Sequence, residues 1–156
     1  MATRHKVSGG LKMRGRVTLT FTDVATGESR RIVDDNITPD SFLALVAENI
    51  GSGAPSASPL ITHVALGDDD TATAAGDTAL GNETERKSVA SVDAAGAVVY
   101  ATGYFSASEA VGTFEEVGFF ADGDDTNVLA SRVLIPFTKT GSETMTIDLE
   151  LTLSRA

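Results

Sequence analysis

The side chains in this sequence that could do chemistry are mostly oxygen donors. Asp68, Asp69 and Asp70 stand in a row, and Asp122, Asp124 and Asp125 recur just before Asn127. Tight carboxylate-rich loops suit hard cations such as calcium, but a calcium loop also needs a glycine after its third ligand and a distal bidentate glutamate. Neither run completes that pattern, so both read as solvated loop tips, with no metal expected and calcium as the ion to test for. Nucleophilic and acid–base chemistry is less well supplied. The chain has two histidines, His5 and His63, and no cysteine, which excludes disulfides, thiolate nucleophiles and Cys-ligated zinc, and leaves no His pair for a metal or a proton relay. No serine sits in a Gly-x-Ser-x-Gly elbow, and no Gly-Lys-Ser/Thr follows Gly51 to Gly53 to cradle a phosphate. These residues predict a protein that is not an enzyme and carries no cofactor. His63 shares a strand face with Ile61 and Ala65 and reads as a packed or interface side chain.

The paired glutamates in TFEEVGFF (residues 113–120) are more informative, because either face that turns inward carries Glu115 or Glu116 among aromatic and aliphatic neighbours. A buried carboxylate needs a partner. Arg86 and Arg132, both on strand-like segments, are the candidates, and Glu83 lies close enough to Arg86 to join them as a structural or interface ion pair. A glutamate exposed on the rim is the alternative.

Hydrophobic periodicity supplies the elements that would position these groups. From Arg16 the chain alternates, with Val17, Leu19 and Phe21 opposite Thr18, Thr20 and Thr22, and Glu28 to Val33 can return as the second strand of a hairpin spanning 11–36. Thr38 is placed to cap a helix over 39–50 with Pro39 at its first position, and Phe42, Leu45, Val46 and Ile50 recur at helical spacing. The segment SGAPSASP then reads as a loop that lets the chain change sheets before Leu60. Ser88 to Val92 and Val98 to Phe105 predict a second hairpin around Asp93 to Gly96, and Phe114–Phe120, Val128–Leu134 and Thr144–Leu153 predict three more strands. Short connections favour an antiparallel β-sandwich with one early α-helix over a parallel α/β fold. The expected organisation is a flexible basic arm over 1–10 and a single domain over 11–156, long enough to bury roughly two-thirds of its unfolded surface.

Charge narrows the partners. Residues 1–31 hold seven basic and two acidic side chains, net +5, against five basic and twenty acidic in 32–156, net −15. An overall charge of −10 argues against nucleic acid or an anionic membrane as the main partner. Arg4, Lys6, Lys12, Arg14, Arg16, Arg30 and Arg31 together predict a docking arm and hairpin that engage acidic surface on a neighbouring subunit. Thirteen Asp and nine Glu against four Lys also suit a protein working in high salt, where screening removes carboxylate repulsion. No apolar run approaches the roughly 20 residues of a membrane span and the N-terminus lacks a signal-peptide core, so the expected product is soluble and made in the cytoplasm.

One stretch carries a family resemblance. Ile61-Thr62-His63, Ala65-Leu66-Gly67, then Asp77-Thr78, Leu80, Asn82-Glu83 and Arg86-Lys87 resemble a strand, loop and exit seen in small tail and fibre-associated structural proteins of tailed viruses. Ala110 to Gly112 with Glu116-Val-Gly-Phe119, and Leu129, Arg132, Pro136, Lys139 and Thr140, extend it in the same order over about residues 12–153. The resemblance implies a virion structural protein assembled in the host cytoplasm, a tail tip, baseplate or fibre-attachment adaptor, and the acidity suggests a halophilic host. It implies other virion structural proteins as partners and a homo-oligomer, with a trimer favoured over higher rings. A capsid decoration or vertex-turret protein is the structural alternative. A carbohydrate-binding module at the host surface is the other, for which only Tyr100 and Tyr104 supply aromatic platforms.

Overall fold

The computed structural model describes residues 10–121 and 127–156. Nine strands and one helix follow in order: β1 (Leu11–Asp23), β2 (Ser29–Asn36), α1 (Asp40–Gly51), β3 (Ile61–Gly67), β4 (Glu83–Ser88), β5 (Ser91–Ala95), β6 (Val98–Phe105), β7 (Gly112–Ala121), β8 (Val128–Lys139) and β9 (Glu143–Arg155). They form two antiparallel sheets, sheet A in the order β2-β1-β9-β6-β5 and sheet B in the order β4-β3-β7-β8. The antiparallel sandwich with one helix expected from the alternation is the observed fold.

Sheet A is built on the two longest runs of clean alternation. β1 and β9 pair without interruption from Leu11↔Arg155 to Asp23↔Glu143, which sends Val17, Leu19 and Phe21 and Met145, Ile147, Leu149 and Leu151 into one core. Sheet B supplies Val64, Leu66, Val117, Phe119, Val133, Ile135 and Phe137 to the same core. Phe21 and Phe137 meet across the layers with ring centroids 5.5 Å apart, and Val64 of sheet B packs onto Gly103 of sheet A so closely that a β-carbon there would lie 2.7 Å from its Cγ1.

The helix matches its expected span to a residue but not its expected cap. Pro39 occupies the N-cap in an extended conformation, with φ −65° and ψ 151°, and no side chain caps the helix; among the described residues the buried Thr38 hydroxyl has no hydrogen-bond partner. Asp40 still places a carboxylate in the first turn, where the helix dipole favours it. Phe42 and Leu45 enter the core.

The second hairpin also differs in detail. Ser88 to Val92 is not one strand: β4 ends at Ser88 in sheet B and β5 begins at Ser91 in sheet A. Between them the Val89 N–H donates to Thr62 of β3 and the Ala90 N–H to Thr102 of β6, so successive residues hydrogen-bond to opposite layers. The turn that follows is tighter than expected, with Asp93 inside β5 and Gly96 taking the positive φ of 60°.

Candidate functional site

The outer face of sheet B is buried where β3, β7 and the first half of β8 lie side by side, and a strap does it. Between β3 and β4 the chain from Asp68 to Asn82 folds back over β7 and β8 and sets Leu80 against Ala65, Phe120 and Leu129 in a second small core. The strap can lie this close because Gly67 and Gly118 have no β-carbons. One at Gly67 would come 2.5 Å from the Asn82 carbonyl oxygen, and one at Gly118 would come 2.7 Å from Leu80 Cδ2.

Beside that apolar contact sits an ionic one. Of the two arginines proposed as partners for a buried glutamate, Arg132 is the one: its Nε donates to Glu116 Oε2 at 2.8 Å, with Glu116 fully buried and Arg132 only 3% exposed. A bulge between Phe114 and Glu116 explains why this face was ambiguous in the sequence. It lets Phe114, Val117 and Phe119 point into the main core while Glu116, Gly118 and Phe120 share the outer face. Glu116 then accepts the Gly81 and Asn82 N–H groups at 3.1 and 3.0 Å. Arg132 reaches the strap as well, through Nη1 to Asp77 Oδ2 at 2.7 Å and Nη2 to the Thr71 carbonyl at 3.0 Å. Burial works against both charges, but for Asp77 the Ala74 N–H and Arg132 outweigh it and hold its carboxyl below the usual range. Asp77 and Glu116 likewise raise Arg132 despite its desolvation. A buried pair is worth having only when its remaining lone pairs and protons are also bonded, and the strap backbone supplies those partners. On its other edge the Arg132 backbone exchanges both hydrogen bonds with Ile37, tying β8 to the end of β2.

Arg86 does not serve Glu116. Its guanidinium grips Glu83 with two hydrogen bonds of 2.6 and 2.7 Å, bonds Asn127 and lies over the Phe120 ring. Lys87 and Lys139 secure a second loop, 106–111. Lys87 Nζ meets both Glu109 oxygens at 2.7 Å, which with the Ser106 N–H pulls the Glu109 carboxyl down to about 2. Lys139, 1% exposed, donates to the Ala107 and Thr140 carbonyls, and burial lowers its pKa. Sequence reasoning named Lys139 only within the resemblance and gave it no site role, although Ile135, Phe137 and Lys139 alternate onto one inward face and could have revealed it. Asp77 likewise stood only in the resemblance, with no periodicity to show that it meets Arg132.

The aspartate run is spent on local structure. Asp68 accepts Asn82 Nδ2 at 2.6 Å and Asp69 accepts the Thr71 N–H at 2.8 Å, while Asp70 is exposed. Among the described residues no group of three or more His, Asp or Glu side chains is gathered to hold a metal; Asp122, Asp124 and Asp125 lie outside them. A bulge between Ile61 and His63 separates these two, with Ile61 in the main core and His63 hydrogen-bonded to Thr62. The polar crevice in the strap, lined by Asp69, Thr71, Asp77, Gly81 and Arg132, offers no net positive charge to an anion, because two carboxylates already pair the arginine.

The basic residues assigned to a docking arm divide. Arg4 and Lys6 lie outside the described residues. Lys12, Arg14 and Arg16 are part of β1, paired along its length with β9, so they are strand residues with exposed heads. Arg30 is committed internally to Glu143, the Thr138 carbonyl and the Phe21 ring. Arg31 is exposed on β2. No protein-family model, curated protein or solved structure matches this chain.

Proposed function

We propose that this chain is a non-enzymatic structural protein of a tailed virus particle, an adaptor in the tail tip, baseplate or fibre-attachment region. One observation carries the reading. Six of the residues through which the sequence resembles such proteins, Gly67, Asp77, Leu80, Asn82, Glu116 and Arg132, meet in one clamp that holds the strap on sheet B. What the resemblance shares is therefore a way of building a rigid face, and rigid faces are what an adaptor needs to hold partners in fixed orientation. The acidic body suits a halophilic host, and other virion proteins are its expected partners. Mass spectrometry of purified particles should find the chain in several copies per particle, and immunogold should label the tail or its tip. Absence from purified particles overturns the reading; label on the capsid shell moves it to a decoration protein. Carbohydrate binding is favoured by a single feature, Tyr100 and Tyr104 standing half exposed on the same face of β6, and a glycan array without binding removes it.

A further inference from the structure

Among the described residues no strap covers the outer face of sheet A, and its side chains follow a pattern. Reading across β2, β1, β9 and β6, one row is Arg31, Thr20, Thr146 and Tyr104. The next is Val33, Thr18, Asp148 and Thr102. The third is Asp35, Arg16, Glu150 and Tyr100. Val33, Tyr100 and Tyr104 are 50%, 42% and 43% exposed. Arg16 has only a 3.8 Å contact with Asp35, and Arg31 and Glu150 have no ion pair among the described residues.

From this register we infer that the outer face of sheet A is a homodimer interface, formed with a second copy of the chain about a two-fold axis that runs along the strands between β1 and β9. That axis lays β1 of each copy on β9 of the other and β2 on β6. Arg16 then faces Glu150 of the second copy, twice, and the four charges alternate in sign around the axis. Thr18 faces Asp148, Val33 faces Thr102, Asp35 faces the Tyr100 hydroxyl, and Arg31 faces the Tyr104 ring, a cation–π arrangement. An axis across the strands, placed between these two rows, instead brings Glu150 onto Asp148 and is repelled. A uniformly basic or acidic partner would be repelled by half of the face, which is why the occupant is another copy. Face-to-face sheets cross at about 30°, so register is kept best beside the axis, where Arg16 and Glu150 stand. Four strands about 4.8 Å apart and roughly ten residues long present on the order of 650 Å², near the about 800 Å² each partner contributes to a standard interface. This assembly is a pair and not the trimer expected from the sequence, and it does not depend on the virion reading.

The test is a mixing experiment on the full chain, read by sedimentation velocity and light scattering at about 0.15 M salt. The wild type should run at twice 16.1 kDa. Arg16→Glu and Glu150→Arg should each be monomeric with unchanged circular dichroism, because each brings like charges together. Mixed one to one, they should form a heterodimer, since each reversed position then meets its opposite. Complementation between chains cannot arise from the cross-strand contact of positions 16 and 150 within one chain. A monomeric wild type, single variants that stay dimeric, or a mixture that stays monomeric each overturns the proposal. Should a reversal unfold the sandwich, Thr20→Lys, on the same face beside the axis, replaces it, and its failure to produce monomer likewise overturns the proposal.

Discussion

Sheet A and sheet B are both antiparallel and both pack one face into the shared core, yet they treat their other faces in opposite ways. Sheet A presents threonines, tyrosines and charges on a face that no described segment covers. Sheet B folds fifteen residues of connection over its own and buries an arginine and a glutamate beneath them. The difference starts in the strands. On β1 and β9 every second residue is polar, so the outer face is already hydrated and needs no cover. On β3, β7 and β8 the outward positions include Ala65, Phe120 and Leu129, which would otherwise leave an exposed apolar patch. The strap supplies the missing layer, and the Glu116–Arg132 pair fastens it. Stability on one side thus depends on uninterrupted pairing, and on the other on a few buried contacts.

The largest effect should come from cutting into sheet A. A chain lacking residues 2–16 loses the first half of β1, which lies between β2 and β9, and should show no cooperative unfolding transition by circular dichroism. A retained transition would mean that sheet B and the strap fold without a complete sheet A.

Next is Arg132→Met, which leaves Glu116 buried without its cation. Losing one partner of a buried pair costs about 3–5 kcal/mol, which for a domain of this size lowers the melting temperature by on the order of 10 °C. Hydrogen exchange at the Gly81 and Asn82 N–H groups should accelerate while exchange across β1 and β9 changes less. Uniform acceleration would show that the strap is not a separate unit. Leu80→Ala should cost about 2 kcal/mol in urea melts, the low end for a leucine truncation, because the site lies near the surface and water can fill it.

Salt distinguishes the exposed charges from the buried ones. The body's net −15 repels itself at 0.01 M, where the Debye length is roughly 30 Å, and is screened at 1 M, where it is about 3 Å. The melting temperature should therefore rise by a few degrees between those limits. In Arg132→Met the rise should be unchanged, since the lost pair is shielded from solvent ions. An unmoved transition in the wild type would remove the main support for a halophilic host.

How much of this was legible follows from the same contrast. Sheet A could be read directly, since a strand with one wet face writes its register into the alternation, and β1, β2 and β9 lie where the periodicity of Val17 to Phe21 and Met145 to Leu153 places them. The hairpin expected over 11–36 runs from Leu11 to Asn36, but the role of its first basic residues was not legible: Lys12, Arg14 and Arg16 read as a docking arm until the β9 register makes them the outward half of a strand. In β7 and β8 both faces are largely buried and their pairing shifts register twice, so VGFF and VLASRVLI carry no usable alternation. There the sequence could say that a glutamate was near burial and that Arg132 could meet it. It could not say that Asp77 and two backbone N–H groups would complete the pair, since that depends on where a fifteen-residue connection lands.

The smallest predicted effect lies at the rim of sheet B, where the Lys87–Glu109 pair fastens the 106–111 loop in the open. Hydrogen bonds from Lys87 and from the Ser106 N–H lower the Glu109 carboxyl from its ordinary 4.5 to about 2. A carboxyl depressed in the folded state contributes stability that is fully present above its unfolded pKa and is lost as pH falls through the folded one. The contribution of Glu109 should therefore be intact above pH 4.5 and disappear toward about pH 2. Because the group is exposed, solvent screening keeps that contribution well below the cost of losing Arg132. The direct measurement is the Glu109 carboxyl carbon shift by NMR, with an expected midpoint of about 2 that rises in Lys87→Met. A midpoint near 4.5 in the wild type would mean that the Lys87–Glu109 pair does not fasten this loop, and that the Lys139 hydrogen bond to the Ala107 carbonyl and the burial of Ala110 hold it instead.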